Sequence, residues 1–157
     1  MDSVLENLQE CAYERLRSHR DLAGLEVVNY RSSDLASALR VYGREPLGIC
    51  AVVLPPLPLR FRGGSPQPCD VCVELQVRVV EDIGTNRGSR RALEVAECVH
   101  RILSGTGLAA GDLGYGLVPA GERPWTITEN FPESTRLEIE LRFLAQAFLQ
   151  PNGGEES

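Results

Sequence analysis

VCVELQVRVVEDIGTNRGSRRALEVAECVHRIL, residues 71–103, decides the fold. Val71, Val73, Leu75, Val77 and Val79 alternate with mostly polar neighbours, the period-two signature of a strand with one buried face. Gly84 to Gly88 bounds a turn, and Leu93, Ala96, Val99, Ile102 and Leu103 then recur at helical spacing. Arg90, Glu94, Glu97 and Arg101 form the wet side of that helix, where spacing-four ion pairs are expected. Ser89 reads as its N-cap, and Ser104 with Gly105 closes it. A strand leading into an amphipathic helix calls for a sheet with a helix laid on one face.

Working outward, Asp2 to His19 reads as a second helix, because Val4 or Leu5, Leu8, Ala12 and Leu16 share one side. Leu25 to Tyr30 is a short strand, and Ser33 and Asp34 can cap a brief helix through Val41. Gly48 to Leu54 (GICAVVL) is apolar on both faces, as a central strand is, and Pro55, Pro56 and Pro58 end it. The Pro- and Gly-rich stretch 55–68 carries Arg60, Phe61 and Arg62, and a long connection of this kind is a candidate contact loop. The strands on either side of it are expected to be antiparallel neighbours. The glycine-rich stretch 105–123 reads as a loop with one short strand around Leu117 and Val118. Trp125 to Phe131 is a further strand. Arg136 to Gln146 is the clearest one, with Leu137, Ile139, Leu141, Phe143 and Ala145 inward and Glu138, Glu140 and Arg142 outward. The expected architecture is α+β, a mostly antiparallel sheet of four to five strands with two main helices on one face. It forms a single domain over 1–149 with a disordered tail over 150–157.

Composition narrows the functional classes. The chain has 157 residues, 43% hydrophobic and 24% charged, the balance of a soluble globular protein. No apolar run approaches the roughly 20 residues of a bilayer span, and the acidic start lacks the form of a signal peptide, which points to a cytoplasmic protein with no membrane partner. A net charge of -6 argues against a dedicated nucleic-acid binder. The 16 basic residues are all arginine. Without lysine there is no Schiff-base, Walker A or Ser-Lys chemistry.

The remaining motifs are weak as chemistry. Cys69 and Cys72 have redox or zinc spacing but run into a strand, where their side chains diverge. Cys98 and His100 stand about 200° apart on their helix and cannot share an ion. Glu138 and Glu140 are about 6.5–7 Å apart on one strand face, but neighbours on a flat strand cannot flank a scissile bond. The turn 84–91 can cradle a phosphate at a helix N-terminus, yet it lacks the G-x-G-x-x-G spacing and reads more simply as a capped turn. His19 and His100 read as structural or solvent-facing. No catalytic residue, cofactor or metal ligand is assigned. The competing reading is a small-ligand domain or enzyme with a pocket near Gly84 to Arg91, using Glu74 or Glu138 as acid or base.

The order of elements resembles small tail-completion, tail-terminator and minor tail proteins of tailed phages and prophages. The resemblance rests on VCVELQVRVVEDIGTNRGSRRALEVAECVHRILSG (71–105), where a strand ends in an acid, an N-R-G turn follows and a helix packs back, and on RLEIELRFLA (136–145). It implies a non-enzymatic assembly subunit that forms a ring, often a hexamer, at a tail end or head-tail junction, in the cytoplasm or the assembled virion. Self and other tail or head-tail proteins are then the partners. Arg60, Phe61 and Arg62 are the candidate contact loop, and Glu138 and Arg142 the candidate inter-subunit charges.

Overall fold

The computed structural model describes residues 4–30, 48–58, 70–104, 107–110, 113–120, 123, 125–127 and 136–148. The helix expected over 33–41, the tail and the Arg60, Phe61, Arg62 triplet lie outside the described residues. In chain order the elements are α1 (Val4–Ser18), a 3-10 turn (Arg20–Leu22), β1 (Glu26–Asn29), β2 (Ile49–Val53), β3 (Leu57–Pro58), β4 (Asp70–Asp82) and α2 (Ala92–Leu103). Then follow β5 (Gly107–Ala110), β6 (Leu113–Pro119), β7 (Trp125–Ile127) and β8 (Arg136–Phe148). The fold is α+β, as expected, and the sheet is wider than four or five strands. Six strands run in the order β1-β2-β4-β8-β6-β5, with β3 added to β4 and β7 to β8.

The pairing is antiparallel except for β1 on β2. Strands β4 and β8 are paired over their whole length, from Asp70 against Phe148 to Asp82 against Arg136. That register sets Val73, Leu75, Val77 and Val79 beside Ala145, Phe143, Leu141 and Ile139, so both apolar faces point the same way. β2 is buried at every position, as its two apolar faces demand. Two strands, β5 and β6, occupy most of the stretch expected to be a loop, with Leu108 paired to Tyr115. Glycine and alanine supply too little side chain there for a period of two to be visible.

Both helices contribute to one core. Leu8, Ala12 and Leu16 of α1 and Ala92, Val95, Ala96, Val99, Ile102 and Leu103 of α2 join the inward residues of β4 and β8 in one cluster. Each fully buried leucine or phenylalanine contributes about 1.5–3 kcal/mol to that cluster. Leu93 is a correction to the expected stripe, being half exposed, because the buried face of α2 is phased on Ala92 and Val95. α1 touches both β1 and β5, the two ends of the six-strand order, so the sheet curves around it. Polar groups also fix this helix. The buried Gln9 amide donates to the carbonyls of Tyr30 (2.8 Å) and Val53 (3.4 Å), and the Asn29 amide donates to Glu10 (3.1 Å).

Candidate functional site

The turn between β4 and α2 is built around a buried carboxylate. Odd-numbered residues of β4 face the helices, so Glu81, opposite Leu137, ends the strand on the helix side, 2% exposed. Its Oε1 accepts from the Ala92 backbone N–H (2.8 Å) and its Oε2 from Asn86 Nδ2 (2.8 Å), with Arg91 Nη1 at 3.6 Å. Asn86 also donates to the Arg90 carbonyl (2.8 Å) and accepts from Gly88 N–H (3.0 Å). The Asp82 carbonyl takes the N–H groups of Thr85 (3.1 Å) and Asn86 (2.8 Å). This geometry corrects one expectation. Ser89 is not the N-cap; that position is Arg91, which makes no side-chain cap bond, and Glu81 caps the helix from the strand. The N-terminus of α2 is no open phosphate cradle either, because the chain's own carboxylate sits where an anion would bind.

A groove of about 260 Å³ does lie beside this turn, lined by Leu25, Ile49, Asn86, Gly88, Ser89 and Arg90 among others. Its only described cation is committed elsewhere. Arg90 Nη1 and Nη2 donate to the carbonyls of Asp21 (3.0 Å) and Ala23 (2.7 Å) and tie the 3-10 turn to the start of α2. Glu74 and Glu138, the acids expected for a pocket here, belong to the even-numbered register of β4 and β8 and project from the opposite face of the sheet. The structure therefore does not bring them to the turn.

That opposite face carries a lattice of matched charges. Arg78 lies across from Glu140, 3.4 Å away. Arg142 sits 4.0 Å from Glu74 and 3.9 Å from Glu140, and Arg136 is 4.0 Å from Glu138. Glu138 and Arg142, the candidate inter-subunit charges, thus have partners within the chain. Partly exposed pairs of this kind contribute about 0–1 kcal/mol each, so they set cross-strand register more than stability. Beyond them the register aligns Leu57, Glu74, Leu144 and Val118 in one row across β3, β4, β8 and β6. Leu57 and Val118 at its ends are 53% and 54% exposed.

Both histidines sit in local contacts. His19 Nδ1 accepts from Asp21 N–H (3.1 Å) and caps the 3-10 turn. His100 is packed between the rings of Trp125 (6.2 Å) and Phe143 (6.4 Å). Among the described residues no group of three metal-ligating side chains converges. The side chains of Cys69 and Cys72 lie outside the described set. Burial pushes the Cys11 thiol up from its ordinary value, and the charge of Glu10 adds to the effect. Its contribution to stability is therefore full below the unfolded thiol's value and is lost as pH rises through the folded one. Native Cys11 should alkylate with iodoacetamide at pH 7.5 more slowly than the same cysteine in urea, read by peptide mass; equal rates would contradict this.

The sheet and its two helices place the chain among α+β domains that curve one mostly antiparallel sheet about a helical layer. Among solved structures, its fold is similar to that of a chain in the virion of a native gene transfer agent (GTA) particle. The TM-score is 0.64 at 18% sequence identity, over 94% of this chain and 99% of that one. A second solved chain matches with a TM-score of 0.58 and 17% identity, over 95% and 99%. No family model and no curated protein matches the sequence. No described helix is long and apolar enough to cross a membrane.

Proposed function

We propose that this chain is a non-enzymatic structural subunit of a phage-like particle. Its place is the end of a tail or the head-tail junction, as a tail-terminator or tail-completion protein that associates with itself in a ring. The observation that carries the reading is the likeness in fold to a virion chain over nearly the full length of both. The commitment of Glu81, Asn86 and Arg90 to internal bonds also supports it, because a ligand site at the turn would need some of those groups free. The partners are then other copies of the chain and adjoining tail or head-tail proteins, in the cytoplasm before assembly and in the virion after it. The groove at the turn is the one observation that favours a small-ligand module instead.

Light scattering on the purified chain tests the reading. A closed ring that co-purifies with the products of neighbouring tail genes is expected, whereas a stable monomer that binds none of them would refute it. Replacing Arg60, Phe61 and Arg62 together by Ala should weaken assembly with the tail partner while leaving the thermal unfolding curve in place. Unchanged assembly would remove that loop from the contact.

A further inference from the structure

Much of the exposed charge in this chain is matched at home. The sheet lattice pairs Arg78, Arg136 and Arg142 with glutamates, and Asp21 gathers His19, Arg20 and Arg101. The side chains of Arg87, Glu94 and Glu97, like those of Arg15, Glu26 and Arg123, make no hydrogen bond or ion pair to any described residue. Arg87, Glu94 and Glu97 also stand close in sequence to a large exposed apolar side chain. Ile83, 58% exposed, precedes Arg87 in the turn, and Leu93, 49% exposed, lies on the outward arc of α2 with Glu94 beside it and Glu97 one helical turn on. Local structure gives no reason for either apolar residue. A β-branched side chain is not a turn former, and the buried stripe of α2 runs elsewhere. Both patches begin within two residues of the Glu81 to Ala92 hydrogen bond, so they are held on a pinned frame and need little ordering to bind.

We propose that the two patches are the halves of one contact between copies of this chain. The Ile83 to Arg87 turn of one copy packs on the Leu93, Glu94 and Glu97 face of α2 in the next. Ile83 covers Leu93, and the Arg87 guanidinium lies against the two carboxylates. The charges choose this docking over its alternatives, because turn against turn opposes two arginines and helix against helix opposes four glutamates. The halves are different surfaces, so copies that each use one half per neighbour build a ring, and two copies that exchange both halves build a reciprocal pair. The inference rests on the self-association proposed above and assigns its surface.

Light scattering on the full chain at one fixed concentration provides the test, with circular dichroism melts as the control for folding. Ile83→Asp, Arg87→Glu and the pair Glu94→Arg with Glu97→Arg should each drop the assembly toward the 17.2 kDa monomer with unshifted melts. The combined swap of Arg87→Glu, Glu94→Arg and Glu97→Arg should restore it. Folded variants that keep the wild-type mass, or a combined swap that rescues nothing, would overturn the contact while leaving self-association intact. A monomeric wild type would overturn self-association itself, and the contact with it. A wild-type dimer dissolved by the same variants would support the contact and replace the ring by a reciprocal pair.

Discussion

Gly48→Ala is expected to destabilise the fold by about 3 kcal/mol or more, the larger of two effects centred on the β4–α2 turn. Gly48 has φ +76°, a left-handed conformation that costs an alanine on its own about 1–3 kcal/mol. Space is the second problem. A Cβ at this position would lie 2.6 Å from both N and Cα of Asn86, and these are backbone atoms that no rotamer change can move. The Gly48 carbonyl meanwhile accepts from Asp82 N–H at 2.8 Å, extending the β2–β4 ladder, so the strand end and the turn would have to part. Urea unfolding should show a lower midpoint with an unchanged slope. A midpoint within error of the wild type would show that the turn can yield, and that Gly48 is not pressed against it.

Glu81→Ala should cost about 3 kcal/mol, a fall in melting temperature on the order of 10 °C for a chain of this size. The substitution removes the acceptor for Ala92 N–H, leaving the first turn of α2 uncapped at about 0.5–2 kcal/mol. It also strips one acceptor from the buried Asn86 amide, for about 1–3 kcal/mol. The Arg91 pair adds little, since that guanidinium is largely in water. Glu81→Gln should recover only part of the loss. One acceptor oxygen survives, but the new amide nitrogen faces the Asn86 amide, whose orientation is fixed by Gly88 N–H on its oxygen. Melting curves of the two variants decide it: if both match the wild type, solvent caps the helix as well as the carboxylate does.

How far these features are legible in the sequence depends on side-chain pattern. β4 and β8 alternate cleanly, β2 is apolar throughout and α1 carries an unbroken stripe, so each of these elements is readable from its residues alone. β5 and β6 are not, because glycine and alanine carry almost no hydrophobic signal and neighbouring strands define them instead. β3 is hidden by Pro58, which sheet interiors exclude but a short added strand admits. The stripe of α2 is read one phase off at Leu93, since an apolar residue near a helix start fits two faces until the cap fixes the start at Ala92. The cap itself is beyond pattern reading. Glu81 looks like a polar strand end, and only the odd-even register with β8 turns it under the helix. A glycine ahead of an all-apolar strand and an asparagine within the turn are the available signs of the node, and neither declares its partner. The charged outer face is legible as a face, whereas its internal pairing needs the cross-strand register.

The pairing of β4 with β8 bears on how the chain comes to fold at all. β4 is made long before β8, yet β8 lies between it and β6 at the middle of the sheet. During synthesis, thirteen residues of β4 present a bare hydrogen-bonding edge and a hydrophobic face until the last long strand arrives. Such distant closure slows folding and exposes a nascent chain to wrong strand partners, including those of its own siblings on a polysome. It also makes the outcome nearly all-or-none, because the middle of the sheet is the last part to be laid down. Few half-formed copies then accumulate beside finished ones.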